Sequence, residues 1–122
     1  MHIFELASHH RAWLSQRQAT LAGNIANANT PGYAARYVQD FASLLTQSRA
    51  GQAVTHPAHI STASDMPAAS VEAAVPDYAT HSGNTVDVEH ELLNASEIRS
   101  GYALNVSVVK TFNRMLQAGL RS

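Results

Sequence analysis

VDVEHELLNASEIRSGYALNVSVVKTFNRMLQAGL, residues 86–120, decides the fold. Along it Val88, Leu92, Ala95, Ile98, Tyr102, Val106, Val109, Phe112, Leu116 and Leu120 recur at steps of three or four. That spacing lines one face of an α-helix. Asn84 stands as a candidate N-cap. Asp87, Glu89 and Glu91 occupy the first two turns, and Lys110, Arg114 and Arg121 lie toward the end. This order of charges complements the helix dipole at both ends. Gly101 costs such a helix about 1 kcal/mol relative to alanine; it either admits a close neighbour or is tolerated.

Length then constrains architecture. A helix of about 35 residues is roughly 50 Å long at ~1.5 Å per residue. The chain has 122 residues, which as a single domain gives a globule only about 35 Å across. The helix therefore overshoots any ordinary globule this chain could make. A second helix is expected over residues 3–28. There Ala7, Leu14, Leu21 and Ala28 repeat at seven, and Leu6, Trp13, Ala22 and Ile25 widen the same side. It should stop at Asn27–Asn29, because Pro31 disfavours the helical conformation at Thr30. Pro31 and Gly32 fit the two central positions of a type II turn.

The predicted fold class is mainly α. Long N- and C-terminal helices pair as an antiparallel coiled-coil hairpin around an irregular middle segment, where short strands are an open alternative. Three parts follow: residues 1–33 as the first helix and its turn, 34–85 as the middle, and 86–122 as the last helix, forming one unit with the first. In the middle, Tyr37, Phe41 and Leu45 share a helical face, so a short helix is expected there. After Ser48 no period of 2 or 3.6 is sustained, and residues 50–83 read as a long loop or disordered insert. Pro57, Pro67 and Pro76 all fall within it. The apolar face of the last helix, from Ile98 to Leu116, is wider than one partner helix covers. The surplus should meet other chains.

Composition removes several functions. Lys and Arg total 8 against 9 Asp and Glu, a formal net charge of -1, which argues against a basic nucleic-acid platform. There are no cysteines, so disulfides, thiolate metal sites and cysteine nucleophiles are excluded. Charged residues make up only 14% of the chain, where about 25% is usual. No stretch approaches the ~20 apolar residues of a membrane span. MHIFELASHHRAWL lacks a basic start followed by an apolar run, so no secretory signal is expected. The chain is then cytoplasmic or leaves by a route without a cleaved signal.

Seven histidines raise a metal hypothesis. His56 and His59 are three apart, His9 and His10 are adjacent, and His90–Glu91 begins like a metalloprotease motif. However, Asn94 stands where that motif needs its second histidine. Solvated polar histidines are the simpler reading. No nucleophile elbow, phosphate loop or dinucleotide fingerprint occurs. Tyr33, Tyr37, Arg36 and Arg49 could be taken for a single-strand stacking platform, but eight basic residues spread along the chain speak against it. No enzyme, cofactor, nucleic acid or small-molecule substrate is expected.

One segment remains, LAGNIANANTPGYAARYVQDF, residues 21–41. Helix-end asparagines bond to local backbone, which accounts for part of it. Local physics does not account for Asn24, Asn27, Thr30 and Tyr33 together. The segment resembles the signature of bacterial flagellar axial proteins of the rod and hook, an N-terminal helix ending in N-I-A-N followed by T-P-G-Y or T-P-G-F. Here these are Asn24-Ile25-Ala26-Asn27 and Thr30-Pro31-Gly32-Tyr33. The entry to the last helix, Gly83-Asn84-Thr85-Val86-Asp87, is similar to the other half of the family pattern. With the short length, it points to the proximal-rod type. Ser100-Gly101-Tyr102 departs from the family's R-Y-Q-like step.

The resemblance implies a structural subunit of the basal body's proximal rod. It implies export through the flagellar type III apparatus and assembly in the periplasm. The partners implied are copies of itself, other rod and membrane-ring proteins, and the export apparatus. The candidate assembly interface is Leu14, Leu21, Ile25, Ile98, Tyr102, Val106, Val109 and Leu116. The candidate turn signature is Asn24, Asn27, Thr30, Pro31, Gly32 and Tyr33. The rival reading is a soluble helical adaptor or export chaperone, which explains the apolar stripe but not the Asn-Thr-Pro-Gly-Tyr segment.

Overall fold

The computed structural model describes residues 2–54, 69–73 and 79–121. Five elements follow in order: α1 (Ile3–Ala26), β1 (Arg36–Val38), α2 (Phe41–Val54), β2 (Val71–Ala73) and α3 (Val88–Arg121). The His56/His59 pair and the prolines at 57, 67 and 76 lie outside the described residues, as does most of 50–83.

Each helix starts where a side chain satisfies an otherwise orphaned backbone N–H. The His2 imidazole accepts from the amide of Phe4. At α2, Asp40 accepts from the amide and hydroxyl of Ser43, and these bonds hold its carboxyl below the usual range. At α3 the cap is Asp87, whose Oδ1 accepts from the amides of Glu89 and His90. The expected cap, Asn84, lies too far upstream and has other partners. Tyr37 also departs from expectation. It lies in β1 rather than on the face of α2, because the short antiparallel ladder pairing Arg36 with Ala73, Tyr37 with Glu72 and Val38 with Val71 takes up this backbone. Conversely, α2 continues past Ser48 to Val54.

α1 and α3 meet in reverse order along their lengths. Asn24 bonds Glu91, Arg17 pairs with Glu97, Leu14 lies against Gly101, Asn105 bonds the Ala7 carbonyl, and Phe4 packs edge-on to Phe112. Gly101 is where the close approach is tightest. A Cβ there would sit 2.9 Å from the Leu14 Cδ2, so the local helix penalty of glycine is exchanged for contact with a side chain only 1% exposed. Leu14, Ile98, Ala7 and Ala35 form the thin core, joined by Leu44 of α2, Ala69 and Val86. The Trp13 indole N–H donates to the Gln39 carbonyl, and Gln16 donates to that of Ala69, fastening the β1–α2 junction and the β2 approach to α1.

The Phe4–Phe112 contact marks the end of α1 on α3. Residues 113–121 continue past it, roughly 13 Å of helix at ~1.5 Å per residue, and all are exposed. Leu116 and Leu120 carry the stripe of Phe112 onward at four-residue steps, 46% and 87% exposed. No helix among the described residues is long and apolar enough to cross a membrane.

Candidate assembly site: the turn, its strap and a buried acid

The turn begins where α1 runs out of hydrogen-bond continuity. The Asn27 side chain donates back to the Gly23 carbonyl, and its Oδ1 accepts from the Thr30 hydroxyl. Thr30 to Tyr33 then form the expected turn. The Tyr33 amide donates to the Thr30 carbonyl, and Gly32 adopts φ +74°, the value a type II turn requires at that position.

A second segment straps this turn from fifty residues downstream. The Gly32 amide donates to the Ser82 carbonyl, the Thr85 amide to the Tyr33 carbonyl, and the Ala35 amide to the Thr85 hydroxyl. Asn84 is central to the strap. Its buried amide group donates to the carbonyls of Asn27 and Thr30, each at 2.7 Å, while its Oδ1 accepts from the Val86 amide. Each of these carbonyls already accepts a turn amide, from Thr30 and Tyr33 respectively, so Asn84 takes up the second lone pair of each. Gly83, at φ +79°, turns the strap so that its Cβ position faces the Gly32 backbone at 3.8 Å.

Beneath the strap, Asn24 is wholly buried and makes four bonds. It donates to the Arg36 carbonyl and to Glu91 Oε1, and accepts from the Arg36 amide at 3.0 Å and the Tyr33 hydroxyl at 3.4 Å. By holding both backbone groups of Arg36, the amide stands in for a strand partner and sets where β1 begins. Glu91, 1% exposed, accepts from the Tyr37 hydroxyl at 2.7 Å and from Asn24. Neither the Arg17–Glu97 ion pair nor the His9–Glu5 contact includes it. Its charge is offset by oriented neutral donors, each such bond worth roughly 1.5–3 kcal/mol. Burial, then the bond to Glu91 and its negative charge, push the Tyr37 phenol well above its ordinary range, so it remains a donor. Beside these groups is a chamber of about 20 Å³, room for one water.

Of the expected interface residues, Leu14 and Ile98 are buried between α1 and α3 of the same chain. Leu21, Tyr102 and Val109 are half-buried on that seam. Ile25, Val106 and Leu116 are exposed. The turn residues Asn24, Asn27, Thr30, Pro31, Gly32 and Tyr33 are brought together. Glu91, Tyr37, Asn84 and Thr85 join them; the sequence had suggested a helix-start charge, a helical face and a cap for the first three, and for Thr85 no role beyond its place in the Gly83–Asp87 segment. Glu91 resembled the other acids at a helix start, and only its place on the apolar-spaced face distinguished it. The described residues contain no cluster of three or more metal-ligating side chains. Both bonds to the acid, from Asn24 and from Tyr37, join distant parts of the chain, across 67 and 54 residues, and so clamp the turn end of the fold to α3.

A family model described as "Flagella basal body rod protein" matches residues 13–33, from Trp13 through the last residue of the turn. The chain is 40% identical to the flagellar basal body rod protein FlgB of Agrobacterium fabrum, over 93% of this chain and 89% of that protein. It is 35% identical to FlgB of Escherichia coli and 37% identical to FlgB of Salmonella typhimurium, in both cases over 86% of each chain. The chain belongs to the FlgB family of flagellar basal body rod proteins. Membership makes it a structural subunit of the basal-body rod, and the adaptor or chaperone reading of the apolar stripe gives way to it. In this chain the turn that ends the matched segment and the strap form one hydrogen-bonded unit. The relatives are named as flagellar basal body rod proteins.

Proposed function

We propose that this FlgB-family chain builds the proximal part of the rod by sharing the apolar face of α3 between subunits. In this reading it passes unfolded through the flagellar type III export apparatus without a cleaved signal and folds in the periplasm. Residues 1–33 and 86–122 close as an antiparallel coiled-coil hairpin, with 34–85 as an appended middle. Its neighbours are copies of itself and other rod and membrane-ring proteins. Leu14 and Ile98, with Leu21, Tyr102 and Val109, hold the hairpin. Ile25, Val106 and Leu116 face neighbours. Asn24, Asn27, Thr30, Pro31, Gly32 and Tyr33 set the shape of the turn that the next subunit meets.

The observation that carries this is the run of apolar side chains left exposed on α3, including Val106, Met115, Leu116 and Leu120. Burial of such surface contributes roughly 25 cal/mol per Å², and neighbours that bind only the folded chain stabilise it by mass action. Contacts between unlike patches that do not close into a ring extend as an open helical assembly. Val106→Asp tests the reading. Secretion should continue and the isolated chain should keep its helicity, while motility in soft agar and recovery of the chain in purified basal bodies are lost. Normal motility with intact basal bodies would remove α3 from the interface.

A further inference from the structure

His10 occupies a position that the assembly reading does not use. It lies on the α1 face that meets α3, half-buried, at the edge of an apolar groove of about 210 Å³ lined also by Ile3, Leu6, Phe41, Leu104 and Val108. Its ring stacks on Trp13 at 5.6 Å and meets Phe41 edge-on at 5.0 Å. Across the seam the Asn105 amide nitrogen donates to the Ala7 carbonyl at 2.9 Å and lies 3.2 Å from His10 Nδ1.

The chemistry of this triangle leaves one arrangement. A backbone carbonyl only accepts, so the Asn105 group facing Ala7 must be the NH₂ and cannot be flipped. Its second hydrogen therefore points at His10, and Nδ1 must offer a lone pair. The ring is then neutral and carries its hydrogen on Nε2. Protonation turns Nδ1 into a donor facing a donor, in a site where burial already opposes the charge.

We propose that His10 is a proton-sensitive clasp between α1 and α3, closed when its ring is neutral and released when it is protonated. The charged groups around it do not compensate. On α1 these are Glu5, His9, Arg11 and Arg17, with Glu5 directed to His9 and Arg17 lying over Trp13 at 5.0 Å. Just before α2, Asp40 is bonded to Ser43. On α3, residues 101–109 carry no charged side chain. The inference does not depend on the rod reading, because it concerns the pairing of helices within one chain.

The sign follows from linkage. Burial lowers the His10 pKa from its ordinary 6.5, so below that value the unfolded chain binds a proton that the closed clasp refuses. Stability is then complete above about pH 7 and falls as the pH drops through 6.5. It levels off below the lowered folded value, with at most about a tenfold loss in the folding constant per pH unit between the two.

Histidine ring NMR on the full chain tests this directly. At pH 8, His10 should show the Nε2–H form and should titrate below 6.5. Titration at or above 6.5, or an Nδ1–H ring, overturns the clasp. In urea melts at pH 8 and pH 5.5, His10→Phe keeps the aromatic packing and should lose much of the wild-type pH dependence. His9→Phe should retain it. An unchanged slope in His10→Phe would equally sink the proposal, and should that variant fail to fold, the wild-type ring titration still decides.

Discussion

The two ends of the α1–α3 pair are finished by different means. At the turn end, Asn24, Asn84 and Glu91 are buried and bonded within the chain. At the far end, α3 runs beyond Phe112 with Leu116 and Leu120 in solvent. Hydrogen bonds are directional, and a buried polar group left unpaired costs about 1–3 kcal/mol. The polar end must therefore be complete in every copy before it meets another. Apolar burial has no direction and scales with area. It can wait for a neighbour, at the cost of a weaker isolated chain. In the assembly proposed above, a subunit that must fold alone and still bind its neighbours divides the work in this way.

The sharpest way to break the comparison is Asn24→Ala. It strips both backbone groups of Arg36 and one donor from Glu91, so urea unfolding of the full chain should show a loss on the order of 3 kcal/mol or more. A loss below about 1 kcal/mol would mean that the turn end is not held by its buried polar bonds. Gly101→Leu, at the middle of the pair, should cost about 1–3 kcal/mol through overpacking against Leu14. Adding Leu14→Ala should recover part of that loss, because the two side chains contend for one space. Leu116→Ser at the far end should change the isolated chain by no more than about 0.5 kcal/mol. The same variant should reduce incorporation into basal bodies. A large loss of stability in the monomer would place Leu116 inside the fold rather than at its free end.

Much of the scaffold was legible in the sequence. The helix expected over residues 86–120 marked α3 to within two residues of its start and one of its end. The seven-residue repeat from Ala7 marked α1, and Pro31–Gly32 specified the turn type. The middle was less legible. α2 was expected around Phe41 but ran further, and Tyr37 proved to be a strand residue, because a three-residue ladder leaves almost no periodic trace. Asn84 illustrates the harder problem. As a good cap residue just before a helix it had a sufficient local explanation, yet Asp87 takes the cap while Asn84 reaches back across the fold to Asn27 and Thr30.

What the sequence determined by itself was everything set by neighbours along the chain: two long helices, a Pro-Gly turn, and an apolar face too wide for one partner. Periodicity and turn chemistry act over a few residues, so they can be read without coordinates. Only the tertiary structure decided that Asn24 meets Glu91 across 67 residues, that Tyr37 donates to the same acid across 54, and that Gly101 yields its space to Leu14. A polar side chain looks the same in sequence whether water or a distant carboxylate satisfies it. The difference arises when folding removes the water.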